Sequence, residues 1–178
     1  MLTHEYPYVY AAVEAKSGEL DFLILPYVNT DCMQLFLDEV GARHPSDKIV
    51  MVLDGTGWHA SRLLKLPQSM KLLPLPPYAP ELNPVEHVWD ELREKRFHNR
   101  VFDSLDALED QLEVTLHTFE NNAPMVKSIV AWEWIISALL KKSGWRGPRE
   151  TGAQRTADTI DCGRAEREEH GHSREQGL

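Results

Sequence analysis

The sequence predicts a mixed α/β domain in which an antiparallel hairpin leads into parallel strand pairing. Three observations carry that reading. Tyr8–Ala15 and Leu20–Val28, rich in β-branched and aromatic residues, flank a Lys16-Ser17-Gly18 turn, the pattern of a hairpin. Ile49-Val50-Met51-Val52-Leu53 is apolar without alternation, as expected of a strand buried on both faces and paired in parallel. Between and after these runs, apolar residues recur at helical spacing behind capping residues.

Taken in order, Asn29, Thr30 and Asp31 offer caps for a helix whose stripe is Met33, Leu35 to Leu37 and Val40, with Gly41 as a plausible stop. Asp54 closes the apolar strand, and Gly55-Thr56-Gly57 breaks the chain before a short helix expected over Ala60–Leu66. Lys71–Leu75 reads as another strand, cut off by Pro76-Pro77. A rigid connector, Tyr78–Pro84, precedes a helix to about Phe97 with Val85, Val88, Trp89, Leu92 and Arg96 on one face. Ser104 caps a helix carrying Leu105, Leu108, Leu112, Leu116 and Phe119. A last helix after Pro124 places Met125, Ile129, Trp132, Ile136 and Leu139-Leu140 on its apolar side.

The chain has 178 residues, 42% hydrophobic and 26% charged, which excludes collagen-like, low-complexity and wholly disordered chains. Residues 146–178 hold Ile160 and Leu178 but no other large apolar side chain. The expected division is a domain over 1–143 and a disordered tail over 144–178, because such a segment buries too little to offset its ordering entropy. A formal charge of −9 argues at face value against a phosphate-backbone binder, although net charge is silent about local patches. Cys32 and Cys162 stand far apart and show no metal-site spacing, which fits a reducing cytoplasm. No apolar run is long enough for a membrane span, and the N-terminus lacks a signal-peptide pattern.

Two carboxylates stand at element termini. Asp54 follows the buried strand, where sites form in open α/β sheets, and Glu86 lies in the first turn of the helix after the connector. Such a pair can share divalent ions, since oxygen ligands suit Mg²⁺. Structural roles compete with that reading. Asp54 can cap the glycine turn, and Asn83, Pro84 and Glu86 fit the N-cap, N1 and N3 positions of a capping box. Asp21, on the second hairpin strand, is expected to face solvent. Trp89, Trp132 and Trp134 are expected in the core.

The string Leu75-Pro76-Pro77-Tyr78-Ala79-Pro80-Glu81-Leu82-Asn83-Pro84-Val85-Glu86-His87-Val88-Trp89, preceded by Val52-Leu53-Asp54 and His59, closely resembles the IS630 family of DDE transposases, within the Tc1/mariner superfamily. Ala79 stands for the usual Ser and Val85 for the usual Ile; the resemblance runs over roughly 6–140. It implies an RNase H-like fold with Asp54 as the second acid and Glu86 as the third, with 31 residues between them. Both would bind Mg²⁺ or Mn²⁺ and act catalytically. The first acid of that family lies on a strand upstream of the hairpin, and only seven residues precede Tyr8. The expectation is therefore an N-terminally truncated fold lacking its first, central strand.

The implied activity is cleavage at element ends by activated water, followed by attack of the freed 3′-hydroxyl on target DNA at TA dinucleotides. The implied partners are transposon-end and target DNA, together with an upstream transposase fragment that supplies the helix-turn-helix and first Asp. His59, Arg93, Lys95, Arg96 and Arg100, with His98 beside them, are candidate DNA contacts; cations at a helix end also suit its dipole without any ligand. Lys141, Lys142, Arg146 and Arg149 form a second, weaker basic cluster. The alternative expectation is an inactive remnant, limited to weak DNA binding or to association as a homodimer.

Overall fold

In a computed structural model, the chain is described at residues 7–53, 63–76, 82–98, 101–133, 137 and, as backbone, 154–161. Its elements are β1 (Tyr8–Glu14), β2 (Leu20–Leu25), α1 (Thr30–Arg43), β3 (Ile49–Leu53), β4 (Met70–Pro74), α2 (Pro84–Glu91), α3 (Leu105–Glu120), α4 (Ala123–Val130) and β5 (Gln154–Asp161). The strands form one five-stranded sheet in the order β2-β1-β5-β3-β4.

The expected hairpin is present: β1 and β2 pair antiparallel from Tyr8 opposite Leu25 to Val13 opposite Leu20. Gly18 in its turn has φ +83°, and a Cβ there would fall 2.1 Å from the Ala123 carbonyl oxygen. Both the backbone conformation and the seating of α4 therefore require glycine. The β3 strand pairs in parallel with β4, and all five of its residues are buried, as the unalternating run predicts.

The sheet buries a core on each face. Val9, Ala11, Val13, Leu20 and Phe22 pack with Val85, Val88, Trp89, Leu116, Phe119 and Val126 of the three later helices. Tyr10, Ala12, Ile49, Met51 and Leu53 pack with Met33, Phe36, Leu37 and Val40 of α1. The period of two along β1 thus splits its side chains between two helical layers, although both halves are apolar. Buried Tyr10 keeps its hydroxyl satisfied: it donates to the Tyr27 carbonyl at 3.0 Å and accepts from the Asn29 N–H at 3.3 Å. Burial pushes its pKa up to about 12. The caps fall where expected, with Asn29 accepting from the Cys32 N–H at 2.8 Å and Ser104 from the Ala107 N–H at 3.1 Å.

Several expectations need correction. The C-terminal segment is not wholly without structure: 154–161 forms β5, antiparallel to β1 and parallel to β3. Low apolar content left this strand unseen, yet the facing edges of β1 and β3 demand a hydrogen-bonding partner whatever its side chains. The central position expected to be vacant is thereby filled. Asp21 is 5% exposed rather than solvent-facing, because the end of α1 closes over it. His44 Nε2 lies 3.0 Å and Arg43 Nη1 3.7 Å from its carboxylate, and Arg43 also reaches Glu120 on α3 at 2.7 Å. Trp132 is 46% exposed and does not belong to the core.

The strand expected over Lys71–Leu75 begins one residue earlier. Leu63–Leu66 is not helical, and the rest of the helix expected there lies outside the described residues, as do Trp134, Ile136, Leu139, Leu140 and 162–178.

Substituting Gly18→Ala is expected to lower stability by about 2–3 kcal/mol, read from the urea midpoint, since it combines a left-handed backbone with overpacking against α4. Tyr10 gives a pH dependence. Its folded pKa lies above the usual value, so its contribution is complete below pH ~10 and is lost as pH rises toward about 12. Tyr10→Phe should flatten that alkaline loss of stability, measured by denaturation across the same range.

Candidate metal-dependent site

The candidate site is built around the start of α2. Asn83, 1% exposed, caps this helix, its side-chain oxygen accepting from the Val85 N–H at 3.4 Å. Pro84 at the first helical position lacks the N–H that would otherwise go unsatisfied there, and its ring presets φ. Val85, Val88 and Trp89 are buried against β1, which fixes the rotation of the helix. Glu86 is left half-buried at the helix N-terminus. Its backbone N–H donates to the Asn83 carbonyl at 3.0 Å, but its carboxylate makes no hydrogen bond or ion pair with the described residues. The reciprocal half of the capping box is thus not formed. A carboxylate in this position keeps its oxygens available for a cation.

Asp54 and His59 lie outside the described residues. The backbone leading to Asp54 is well defined: β3 ends at Leu53, whose carbonyl accepts from the Leu75 N–H at 2.7 Å. Among the described residues no group of three or more His, Cys, Asp or Glu could hold a metal ion. Glu86 nonetheless has the donor chemistry that a hard divalent cation requires.

The basic residues after α2 are arranged differently from the expectation. A π-helical turn, Leu92–Arg96, ends the helix, with the Phe97 N–H donating to the Leu92 carbonyl at 3.0 Å. Arg96, the last residue of this turn, is exposed yet still lies along the apolar cluster. Its guanidinium sits 5.8 Å from the Phe119 ring centroid and 3.8 Å from Met125 Sδ. Arg93 pairs with Asp90 at 2.6 Å and Lys95 with Glu91 at 2.8 Å, so the two cations are partly balanced within their own helix. His98 is exposed. Arg100 and the second cluster, Lys141, Lys142, Arg146 and Arg149, lie outside the described residues.

One pair beside Glu86 escaped the sequence reading. His87 stacks on Trp132 with ring centroids 4.4 Å apart and planes at 20°. The His87 Nε2 and Trp89 Nε1 atoms are buried without a hydrogen-bond partner among the described residues. Only the packing of the segment after α4 against α2 reveals the stack, and no spacing within either segment signals it.

Residues 4–109 match the family described as DDE superfamily endonuclease. An uncharacterized protein of Sinorhizobium fredii, y4pE/y4sA, is 41% identical over 105 residues, covering 58% of this chain and 77% of that protein. No solved structure matches.

Removing the cap by Asn83→Ala is expected to cost about 1–2 kcal/mol of stability. Glu86→Gln should change stability by less than about 0.5 kcal/mol, because the carboxylate is not spent on the helix. Chemical denaturation of both variants measures the difference.

Proposed function

The chain belongs to the DDE superfamily endonucleases, and from that premise we propose that it acts in DNA transposition as part of an IS630-like transposase, on an RNase H-like scaffold. The observation that carries the proposal is Glu86: a carboxylate held half-buried at the N-terminus of a capped helix, with no partner among the described residues. Family membership supports a transposase-like nuclease in general terms, and the finer assignment rests on the connector string and Glu86.

In this reading Asp54, at the end of β3, and Glu86, at the start of α2, hold Mg²⁺ or Mn²⁺. The bound ions would activate the attacking water and neutralise charge building on the phosphate. The protein contributes position. The buried run of β3 fixes where its last residue stands, and the anchored Val85, Val88 and Trp89 fix Glu86. In-line displacement at phosphorus depends mainly on such placement and on charge neutralisation, so no side chain need attack the DNA covalently.

DNA would be met by His59 and by the cations that follow α2. Arg96 and Arg100 are the better candidates there, since Arg93 and Lys95 are engaged by Asp90 and Glu91. Recognition of element ends would fall to a helix-turn-helix segment on an upstream transposase fragment. Association into a homodimer is part of the same proposal.

The test is nicking of supercoiled DNA in Mg²⁺ or Mn²⁺ by the full chain co-expressed with the upstream transposase fragment that supplies the first Asp. Cleavage that disappears with EDTA and falls at least a hundredfold in both Asp54→Asn and Glu86→Gln is the expected result. Cleavage unchanged in either variant overturns the site. No cleavage by the wild-type chain would replace this reading with that of an inactive, weakly DNA-binding remnant.

A further inference from the structure

We propose that the outer edge of β2 is a docking site for an extended, Lys- or Arg-bearing segment of a partner protein, which joins the sheet as an antiparallel strand. The inference goes beyond the nuclease reading and uses none of its residues.

The hairpin leaves this edge open. β2 is the last strand on its side of the sheet, so one row of its backbone groups meets no neighbouring strand. Hydrogen bonding alternates along an antiparallel pair. The Glu14 N–H donates to the Glu19 carbonyl at 2.9 Å, and the same register makes Ala12 with Asp21 and Tyr10 with Leu23 hydrogen-bonded levels. The N–H and C=O groups of Phe22 and Ile24 therefore point outward. Nearer the turn, Arg43 and His44 close over Asp21, so the open stretch is the second half of the strand. Edge strands are ordinarily blunted by Lys, Pro or an inward charge. Phe22-Leu23-Ile24-Leu25 carries none of these, and its last three residues are only half-buried.

A recess of about 330 Å³ lies along this edge, floored by Phe22, Leu23 and Ile24. That volume is at the low end for a small-molecule site. An extended chain suits it better, because it gains main-chain hydrogen bonds along an open edge.

Charge selects the occupant. Phe22 is level with Ala11, on the face that α3 covers. Glu109, Glu113, His117 and Glu120, at helical spacing on one side of α3, wall the recess there. His117 meets the Phe22 ring edge-on at 5.0 Å and lies 2.9 Å from Glu120. Arg43, the cation of the lining, is already held by Glu39 at 2.9 Å and by Glu120 at 2.7 Å. Glu109 and Glu113 are exposed, and Glu109 makes no ion pair with the described residues. Three carboxylates thus stand against one engaged guanidinium. Side chains alternate along an added strand. Those level with Phe22 face α3, where Lys or Arg meets Glu109 and Glu113; those level with Leu23 face the α1 side, where apolar groups fit. A second copy fits poorly. Two β2 edges paired about a two-fold axis would bring the α3 carboxylates of both copies together on one side of the sheet, and like charges in contact oppose association.

Fluorescence anisotropy of a labelled, capped peptide of alternating Lys and Val, titrated with the full chain, tests the proposal. A Glu-Val peptide of the same length should bind at least tenfold more weakly. Reversing the exposed charges by Glu109→Lys with Glu113→Lys should weaken Lys-Val binding at least tenfold, with circular dichroism verifying the fold. A second arm leaves the protein untouched. Backbone N-methylation of the Lys residues should weaken binding at least tenfold, because in antiparallel pairing their N–H groups face β2, whereas N-methylation of the Val residues is tolerated. Absence of Lys-Val binding, equal binding of the two peptides, or indifference to Lys N-methylation overturns the proposal. Dimerisation of the wild-type chain that the Lys-Val peptide reverses, read by sedimentation velocity, makes a second copy the occupant and overturns it as well.

Discussion

The whole arrangement depends on closing the backbone gap between β1 and β3. Each is buried on both faces, so neither has water available for the N–H and C=O groups of its inner edge. Leaving a row of such groups unpaired would cost about 1–3 kcal/mol apiece, more than any single core contact restores. A strand has to lie between them, antiparallel to one and parallel to the other, and β5 meets both conditions. With that slot closed, the hairpin and the parallel pair become one sheet, and α1 and α2 have continuous surfaces to cover. A sequence distance of well over a hundred residues between β1 and β5 makes this a costly contact to find during folding. It also ties the far end of the chain to the centre of the domain.

Much of the fold was legible because its signals are local. The Lys16-Ser17-Gly18 turn, the unbroken run Ile49–Leu53 and the caps Asn29, Asn83 and Ser104 each declare themselves within a few residues, and each stands where expected. What escaped was set by tertiary context. Asp21 sits on a strand and looks solvent-facing until Arg43 and His44, at the far end of α1, close over it. The 154–161 segment has too little apolar surface to order by itself, yet the sheet needs its backbone rather than its side chains. The π-helical closing turn Leu92–Arg96 is likewise invisible to a pattern of helical spacing.

Of the candidate site, the start of α2 was legible in the sequence. Asn83 and Pro84 identify the helix start, and their capping role is what the structure shows. Whether Glu86 served that cap or kept its oxygens for another purpose could not be read from spacing, since a capping box and a metal ligand occupy the same third position. Its carboxylate makes no bond to the described residues, so the reciprocal half of the box is not formed among them. Trp132 against His87 belongs to the same class of hidden feature, a contact between the segment after α4 and α2 that neither segment announces.

The charge of −9 takes on a different meaning against this geometry. As a global quantity it opposes association with a polyanion, but the relevant field is the one at the strand ends and the first turn of α2. Under the proposed function, Asp54 and Glu86 would repel one another and a phosphate alike, an arrangement that becomes favourable only when divalent cations stand among them. In the proposed reading such acidity is compatible with DNA chemistry and would make that chemistry conditional on metal. The cations after α2 do little to offset it in the apo chain, because Asp90 and Glu91 already hold Arg93 and Lys95. A phosphate would have to compete for those pairs, and surface pairs of this kind yield at a cost of about 0.2–1 kcal/mol each. In the proposed reading, affinity for DNA would come first from the metal-loaded carboxylates and only second from the helix end.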